Sequence, residues 1–346
     1  MPEKIGIPRG LFFYDFFPFW DTFFNETGFE VVVSEPTNKR IMEQGLKYCP
    51  DEACIPVKIF FGHVLEIKDN ADYIFIPRYT SVSKGEYVCP KFGGLPDMIK
   101  HLLADLPPVI STEINLRSSS KQGKKALYEI GGLLGIDEER TREAGCKALR
   151  AYYEYKKILR KGFLPLDILD CHEENKPNIN IKLKQSDYTM KIAVIGHSYN
   201  IYDNFACMNL IKKLRETGAD IYTIEMADEE QIENCRNKLD KKFFWYFGTR
   251  AMASAFEIIK NKDVDGIIYV MSFGCGIDSF TAYLIESRIR KETNLPFVVL
   301  TIDEHSGEAG FNTRLEAFID MISWRRNNED NVPAYGQHVC VCESPT

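Results

Sequence analysis

The 346-residue chain lacks an excess of positive charge, with 43 Lys and Arg against 50 Asp and Glu and a formal net charge of −7. No general basic field exists to draw nucleic acid or anionic lipid, which argues against a DNA-binding role. The chain also lacks any run approaching about 18 apolar residues, so no membrane span is expected. Met1-Pro2-Glu3-Lys4 leads into an amphipathic stretch rather than a signal peptide, and a cytoplasmic location is expected. Neither a Gly-Lys-Ser/Thr phosphate loop nor a Gly-x-Gly-x-x-Gly fingerprint occurs, so the chain itself is expected to bind no nucleotide.

What remains is a globular composition, 45% hydrophobic and 27% charged, which excludes a disordered chain and a small disulfide scaffold. The length suggests about two domains. Short β-branched runs alternate with longer helical patterns, the mark of βαβ units and parallel sheet. Strands are read at Lys4–Pro8, Glu30–Val33, Tyr73–Pro77 and Pro108–Ser111, and again at Lys191–Ile195, Asp220–Ile224, Gly266–Met271 and Phe297–Thr301. The order repeats, and so do letters: Leu106 to Thr112 resembles Leu295 to Thr301, and Ala71 to Ile76 resembles Val264 to Tyr269. The expectation is an α/β protein of two doubly wound lobes, residues 1–120 and 188–326. A helical segment and polar linker occupy 121–187, and 327–346 reads as a tail.

Ten cysteines in a reducing compartment each need a reading as core filler, metal ligand or reactive thiol. In α/β sheets ligands gather beyond the carboxyl ends of the strands, and cysteines fall there. Cys89 and Cys275 both follow strands, Cys275 between Gly274 and Gly276, whose backbone amides can approach sulfur closely. Cys49 and Cys54 precede the helical pattern Val57–Ile67, and Pro56 suits its first turn. A helix N-terminus favours a thiolate or an anionic thiolate-bound cluster. Soft thiolates select zinc or an iron–sulfur centre. Structural zinc sites usually pair cysteines in close doublets, and here only Cys49 and Cys54 are close. On residues alone, cluster, zinc and plain core thiols all stay open. Cys146, Cys171, Cys207 and Cys235 read as fillers or surface residues, and Cys340 and Cys342 fall in the tail.

Six stretches together resemble a known family: Ile5-Gly6-Ile7-Pro8-Arg9-Gly10-Leu11, Tyr48-Cys49 through Cys54-Ile55-Pro56-Val57-Lys58, Cys89-Pro90-Lys91-Phe92, Gly196-His197-Ser198-Tyr199-Asn200, Phe273-Gly274-Cys275-Gly276, and Asp303-Glu304-His305-Ser306-Gly307-Glu308-Ala309-Gly310 leading to Thr313-Arg314-Leu315-Glu316. They resemble the activase-related proteins of the 2-hydroxyacyl-CoA dehydratase superfamily, the domain-of-unknown-function 2229 group, over nearly all of residues 3–326. The resemblance implies Rossmann-like lobes with a cysteine-ligated cluster at their interface. It implies a [4Fe-4S] cluster or, as in double-cubane relatives, an [8Fe-9S] cluster. Relatives in the dehydratase branch use three cysteines, matching Cys54, Cys89 and Cys275, and leave one iron open to water or substrate. Cys49 is the departure: as a fourth ligand it closes the site for electron transfer, and otherwise chemistry at an open iron follows. The resemblance also implies an ATP-hydrolysing activase as electron donor, a homo- or heterodimer, and an acyl-CoA or small-molecule substrate.

His305 and His197 lie in loops after strands and are candidate proton donors, with Glu304 or Glu308 to tune them. Arg9, Lys58 and Lys91 are candidates to face an anionic cluster or a CoA phosphate, although isolated cations are more often solvated surface. The aromatic runs Leu11–Trp20 and Phe243–Phe247 read chiefly as core.

Overall fold

The computed structural model describes residues 1–173, 188–238, 243–261 and 264–327. Its first half runs β1 (Lys4–Ile7), α1 (Phe13–Thr27), β2 (Glu30–Val33), α2 (Lys39–Tyr48), α3 (Ile55–Ile67), β3 (Tyr73–Phe75), β4 (Arg78–Ser81), α4 (Pro90–Leu102), β5 (Val109–Ile110) and β6 (Glu113–Asn115). Three helices follow, α5 (Lys121–Leu133), α6 (Glu138–Arg160) and α7 (Pro165–Glu173). The remainder is β7 (Met190–Gly196), α8 (Ser198–Ile201), α9 (Leu210–Glu216), β8 (Ala219–Thr223), α10 (Glu229–Lys238), α11 (Tyr246–Asn261), β9 (Gly266–Ser272), α12 (Gly276–Glu292), β10 (Phe297–Ile302) and α13 (Glu308–Asn327).

The eight expected strands all form, and they build two four-stranded parallel sheets in the orders β2-β1-β3-β5 and β10-β9-β7-β8. Read from β8, the second order is β8-β7-β9-β10, the same winding as the first. The two letter repeats fall on equivalent strands, β3 with β9 and β5 with β10. Along β7, Ile192 and Val194 join one apolar cluster while Ala193 and Ile195 join another, so both faces of that sheet are covered. That is why its sequence is continuously apolar rather than alternating.

Three differences from the sequence reading have local causes. β3 stops at Phe75 because Pro77 has no N–H to give a ladder. The chain then forms β4, which pairs in parallel with β6 in a separate two-stranded sheet that hydropathy does not signal. The segment from Leu164, read as linker, begins with helix α7, opened by Pro165 in a position where a missing N–H costs nothing. Residues 174–187 and the tail beyond 327 lie outside the described residues, as does the side chain of Cys171.

A buried chain of hydrogen bonds joins the two halves of the sequence. Thr37 Oγ1 donates to Asp203 Oδ2 at 2.5 Å, so its oxygen must accept from His63 Nε2, 2.9 Å away. His63 Nδ1 is then the acceptor for Ser34 Oγ at 3.0 Å, and Ser34 Oγ accepts the Arg9 N–H at 2.8 Å. One tautomer satisfies every partner. Burial, then the nearby Arg9 charge, pushes His63 down to about 3, so the ring is neutral. Arg9 itself is buried, not the solvated cation expected.

Candidate metal centre

The second sheet reverses its winding at β7: the chain passes to β8 on one side and returns to β9 on the other. Ligands of α/β sheets gather beyond the carboxyl ends of the strands at such a reversal, which puts the loops after β7 and β9 in the place to search. Ser272 Oγ donates to Asn200 Oδ1 at 2.8 Å and ties the two loops together. Gly274 has φ 75°, a backbone state costly for other residues, and turns the chain so that Cys275 becomes the N-cap of α12. Cys275 Sγ faces the Asp278 N–H at 3.5 Å.

Cys54 is the N-cap of α3 and Cys89 the N-cap of α4, each followed within the first turn by a proline. Neither side chain makes a capping hydrogen bond to its own helix. The Cys89 segment is held against the second half by backbone bonds, Tyr87 N–H to Phe244 O at 3.0 Å and Tyr246 N–H to Tyr87 O at 2.9 Å. The aromatic run Phe243–Phe247, read chiefly as core, thus also holds the Cys89 segment.

Three cysteines at three helix N-termini bear on one another's ionisation, while the donor atoms that lie within 4.8 Å of one another are those of His197, Cys275 and Asp278. Burial pushes the Cys275 thiol up to about 12, with Asp278, Cys54 and Cys89 adding to it against the Asp278 N–H. Burial also raises Cys89, opposed by a backbone N–H at Lys91 and reinforced by Cys54. Tyr199 is raised by burial first and then by Asp278, Cys275, Cys54 and Cys89. Thiols crowded in this way resist ionisation unless a cation supplies the countercharge, while three helix N-termini favour bound thiolates. A β-carbon added at Gly274 or Gly276 would meet nothing within 4 Å, so open space flanks Cys275. The donor set and the space fit a thiolate-bound metal group.

Cys49 stands differently. It is the C-cap of α2, at the negative end of a helix, and is buried. Burial pushes it up to about 12, with Lys58 and Lys91 opposing and Cys54 adding to it. Among the remaining cysteines, Cys207 and Cys235 are buried fillers, Cys207 donating to Ile201 O at 3.3 Å, and Cys146 is exposed.

The histidines separate. His197 is 2% exposed, and its Nδ1–H donates to Asp278 Oδ2 at 2.9 Å while the Tyr269 hydroxyl donates to Asp278 Oδ1 at 2.9 Å. With Nδ1–H given to Asp278, Nε2 is the ring nitrogen left for a further partner. Donor atoms of His197, Cys275 and Asp278 all lie within 4.8 Å of one another. His305 is exposed in a turn whose Asp303 carboxylate accepts its backbone N–H at 2.7 Å, and its ring makes no hydrogen bond among the described residues. Glu304 accepts Lys58 Nζ at 2.5 Å, so Lys58, expected in solvent, instead bonds the first turn of α3 to the loop after β10. Burial works to raise Glu304, but the Lys58 hydrogen bond and charge outweigh it and hold the carboxyl below its usual range. Asp278 and Tyr269 escaped the sequence reading; the signal was an acidic residue three positions after Cys275, inside a first helical turn.

Behind His197, Ser198 Oγ donates to Asp15 Oδ2 at 2.5 Å. Burial raises Asp15 from 3.8 to about 6, with the Ser198 bond opposing. The folded state then binds more protons than the unfolded state between those values, so stability falls as pH rises through them. About two pKa units correspond to about 3 kcal/mol. Asp15→Asn is expected to abolish that fall, measured by urea unfolding at a series of pH values.

Residues 4–227 match the family described as CoA enzyme activase uncharacterised domain (DUF2229), and residues 191–322 match 2-hydroxyglutaryl-CoA dehydratase, D-component. The first match contains Cys54 and Cys89, the second His197, Cys275 and Asp278. No curated protein matches the chain. A solved structure from Leishmania major Friedlin, a "putative aspartate carbamoyltransferase", is 10% identical over 94% of this chain and 83% of that one, with a TM-score of 0.18, too low to bear on the fold. Among the described residues no helix is long and apolar enough to cross a membrane. The first family match spans well over half of the sequence, and the chain belongs to the CoA enzyme activase uncharacterised domain family, the activase-related group of the 2-hydroxyacyl-CoA dehydratase superfamily.

Proposed function

We propose that this chain is an iron–sulfur component of a dehydratase-type system, with Cys54, Cys89 and Cys275 holding a [4Fe-4S] cluster that accepts low-potential electrons from an ATP-hydrolysing activase. One observation carries the reading: three cysteines from separate segments each occupy the N-cap position of a different helix. Cys49 at the far pole of α2 favours three ligands and one open iron, hence chemistry at the cluster rather than electron transfer alone. Bound there, the cluster supplies one-electron reduction and a Lewis-acid position.

The protein supplies the rest. His197 Nε2 holds or delivers a proton at the crevice, and Asp278 fixes its tautomer and ring plane. Tyr199 stacks on His197 at 4.8 Å and Phe247 meets it edge-on at 4.3 Å, which excludes water from one side. Gly274 and Gly276 leave room for backbone amides to face sulfur. Exposed Phe273, Phe280 and Tyr283 beside Cys275 provide an apolar surface for an activase or a related subunit. The two similar sheets are read as two lobes, with the cysteines at their junction.

Anaerobic purification followed by iron and acid-labile sulfide analysis and EPR after reduction tests the reading. About four irons per chain are expected for one cubane. About eight would replace it with a double-cubane group, and zinc or no metal would overturn it.

A further inference from the structure

The first sheet winds as the second does, so it too has a point of reversal, between β1 and β3. The crevice there holds no thiols. Instead a cavity of about 40 Å³ lies at the ends of those strands, lined by Ile7, the last residue of β1, and Pro8 after it, by Ile76 and Pro77 after β3, and by Phe17 and Leu95 from α1 and α4. Trp20 and Tyr79 also reach it, but Trp20 Nε1 donates to the Tyr79 hydroxyl at 2.9 Å, so the indole N–H is already engaged. Leu11, in the same wall, holds φ 53°, a left-handed backbone that leucine rarely adopts, and is buried there.

The geometry points to a binding site for a small apolar molecule at this switch point, distinct from the thiol crevice and independent of any metal there. Ligands of α/β sheets gather at such reversals, and the lining decides their class. A water molecule needs two to four polar partners, and the Tyr79 hydroxyl, already accepting from Trp20, leaves these mainly apolar walls short of that. Apolar cavities of about 150 Å³ stay dry and take benzene or xenon, so about 40 Å³ suits a molecule of roughly two to four heavy atoms. The site lies one layer of rings from the centre. Phe92 lines the cavity and packs 5.9 Å from Tyr199, and Phe12 lines it and stacks 5.4 Å from Phe247.

Xenon is the probe, applied to the full chain by pressurising crystals and, in solution, by xenon NMR. A xenon atom between Ile7, Ile76 and Leu95 is expected in the wild type, with occupancy reduced at least several-fold in Leu95→Phe, which fills the space. Phe17→Leu enlarges the space and is expected to raise occupancy, which keeps the test decisive if the larger side chain does not fold. No xenon in either the wild type or Phe17→Leu, ordered water filling the space, or equal occupancy in a folded Leu95→Phe would each overturn the assignment. Iron content plays no part in this readout, so failure of the cluster reading and failure of this one are separable.

Discussion

Replacing Cys54, Cys89 or Cys275 singly by serine is expected to strip most of the iron and acid-labile sulfide, whereas Cys49→Ala is expected to retain both and to leave the EPR line shape of the reduced protein unchanged. Removing a group that merely orients a ligand costs about 10- to 100-fold in metal affinity, and removing the ligand itself should cost at least that. The three N-cap thiols contribute little that serine would remove: Cys54 and Cys89 are only partly buried against the core, and the backbone N–H groups of Lys91 and Asp278 that face Cys89 and Cys275 are accepted by a serine hydroxyl as well. Thermal unfolding of the metal-free variants should therefore track the metal-free wild type, which separates lost ligation from lost folding. Cys49 is the opposite case, a buried group whose truncation removes packing, and Cys49→Ala should lower stability by about 1 kcal/mol without removing metal. Iron loss in Cys49→Ala as severe as in the other three would make the site a closed four-cysteine cluster and turn the reading toward electron transfer alone.

The difference between these cysteines marks how far the sequence could be read. That Cys89 and Cys275 follow strands was legible because parallel strands declare themselves as apolar β-branched runs, and the loop after each is then fixed in place. That Cys54 opens a helix was legible from Pro56. Cys49 lies five residues earlier and reads as its neighbour's twin, yet it ends α2 rather than starting α3. Spacing along the chain carries no information about which pole of which helix a residue occupies. His305 drew attention because it sits among Asp303, Glu304 and Glu308, but those acids are spent on a turn, on Lys58 and on Lys213. His197 has no acid near it in sequence. Its partner Asp278 arrives 81 residues later, brought by the pairing of β7 with β9. Lys58 and Arg9 were misread for the same reason: a long cation looks solvated until the loop that buries it is known. The strands β4 and β6 escaped because Arg78-Tyr79-Thr80-Ser81 and Glu113-Ile114-Asn115 are short and polar, and pair only with each other.

A single methyl group on α3 is expected to disturb the centre as severely as loss of a ligand. Gly62 faces the Ile41 carbonyl oxygen of α2, and Gly45 of α2 faces the Lys58 carbonyl of α3; a β-carbon at either position would lie 1.9 Å from that oxygen. The two backbones are in contact, and the obstruction is carbonyl rather than a flexible side-chain tip. Gly62→Ala must then drive the helices apart by more than about 1 Å, and interiors packed at crystal density do not absorb such a shift locally. Three connections move with α3: Cys54 at its N-cap, Lys58 on Glu304, and His63 in the buried chain from Arg9 to Asp203. We expect Gly62→Ala to cost about 3 kcal/mol or more in urea unfolding and to lower iron content in the folded fraction. Gly94→Ala is the control. It lies within α4, the helix capped by Cys89, but an added β-carbon meets nothing within 4 Å. There the alanine should be neutral or stabilise by up to about 1 kcal/mol through its better helix propensity, with iron unchanged. Equal behaviour of the two variants would mean that the α2–α3 contact yields freely, and that the position of Cys54 does not depend on it.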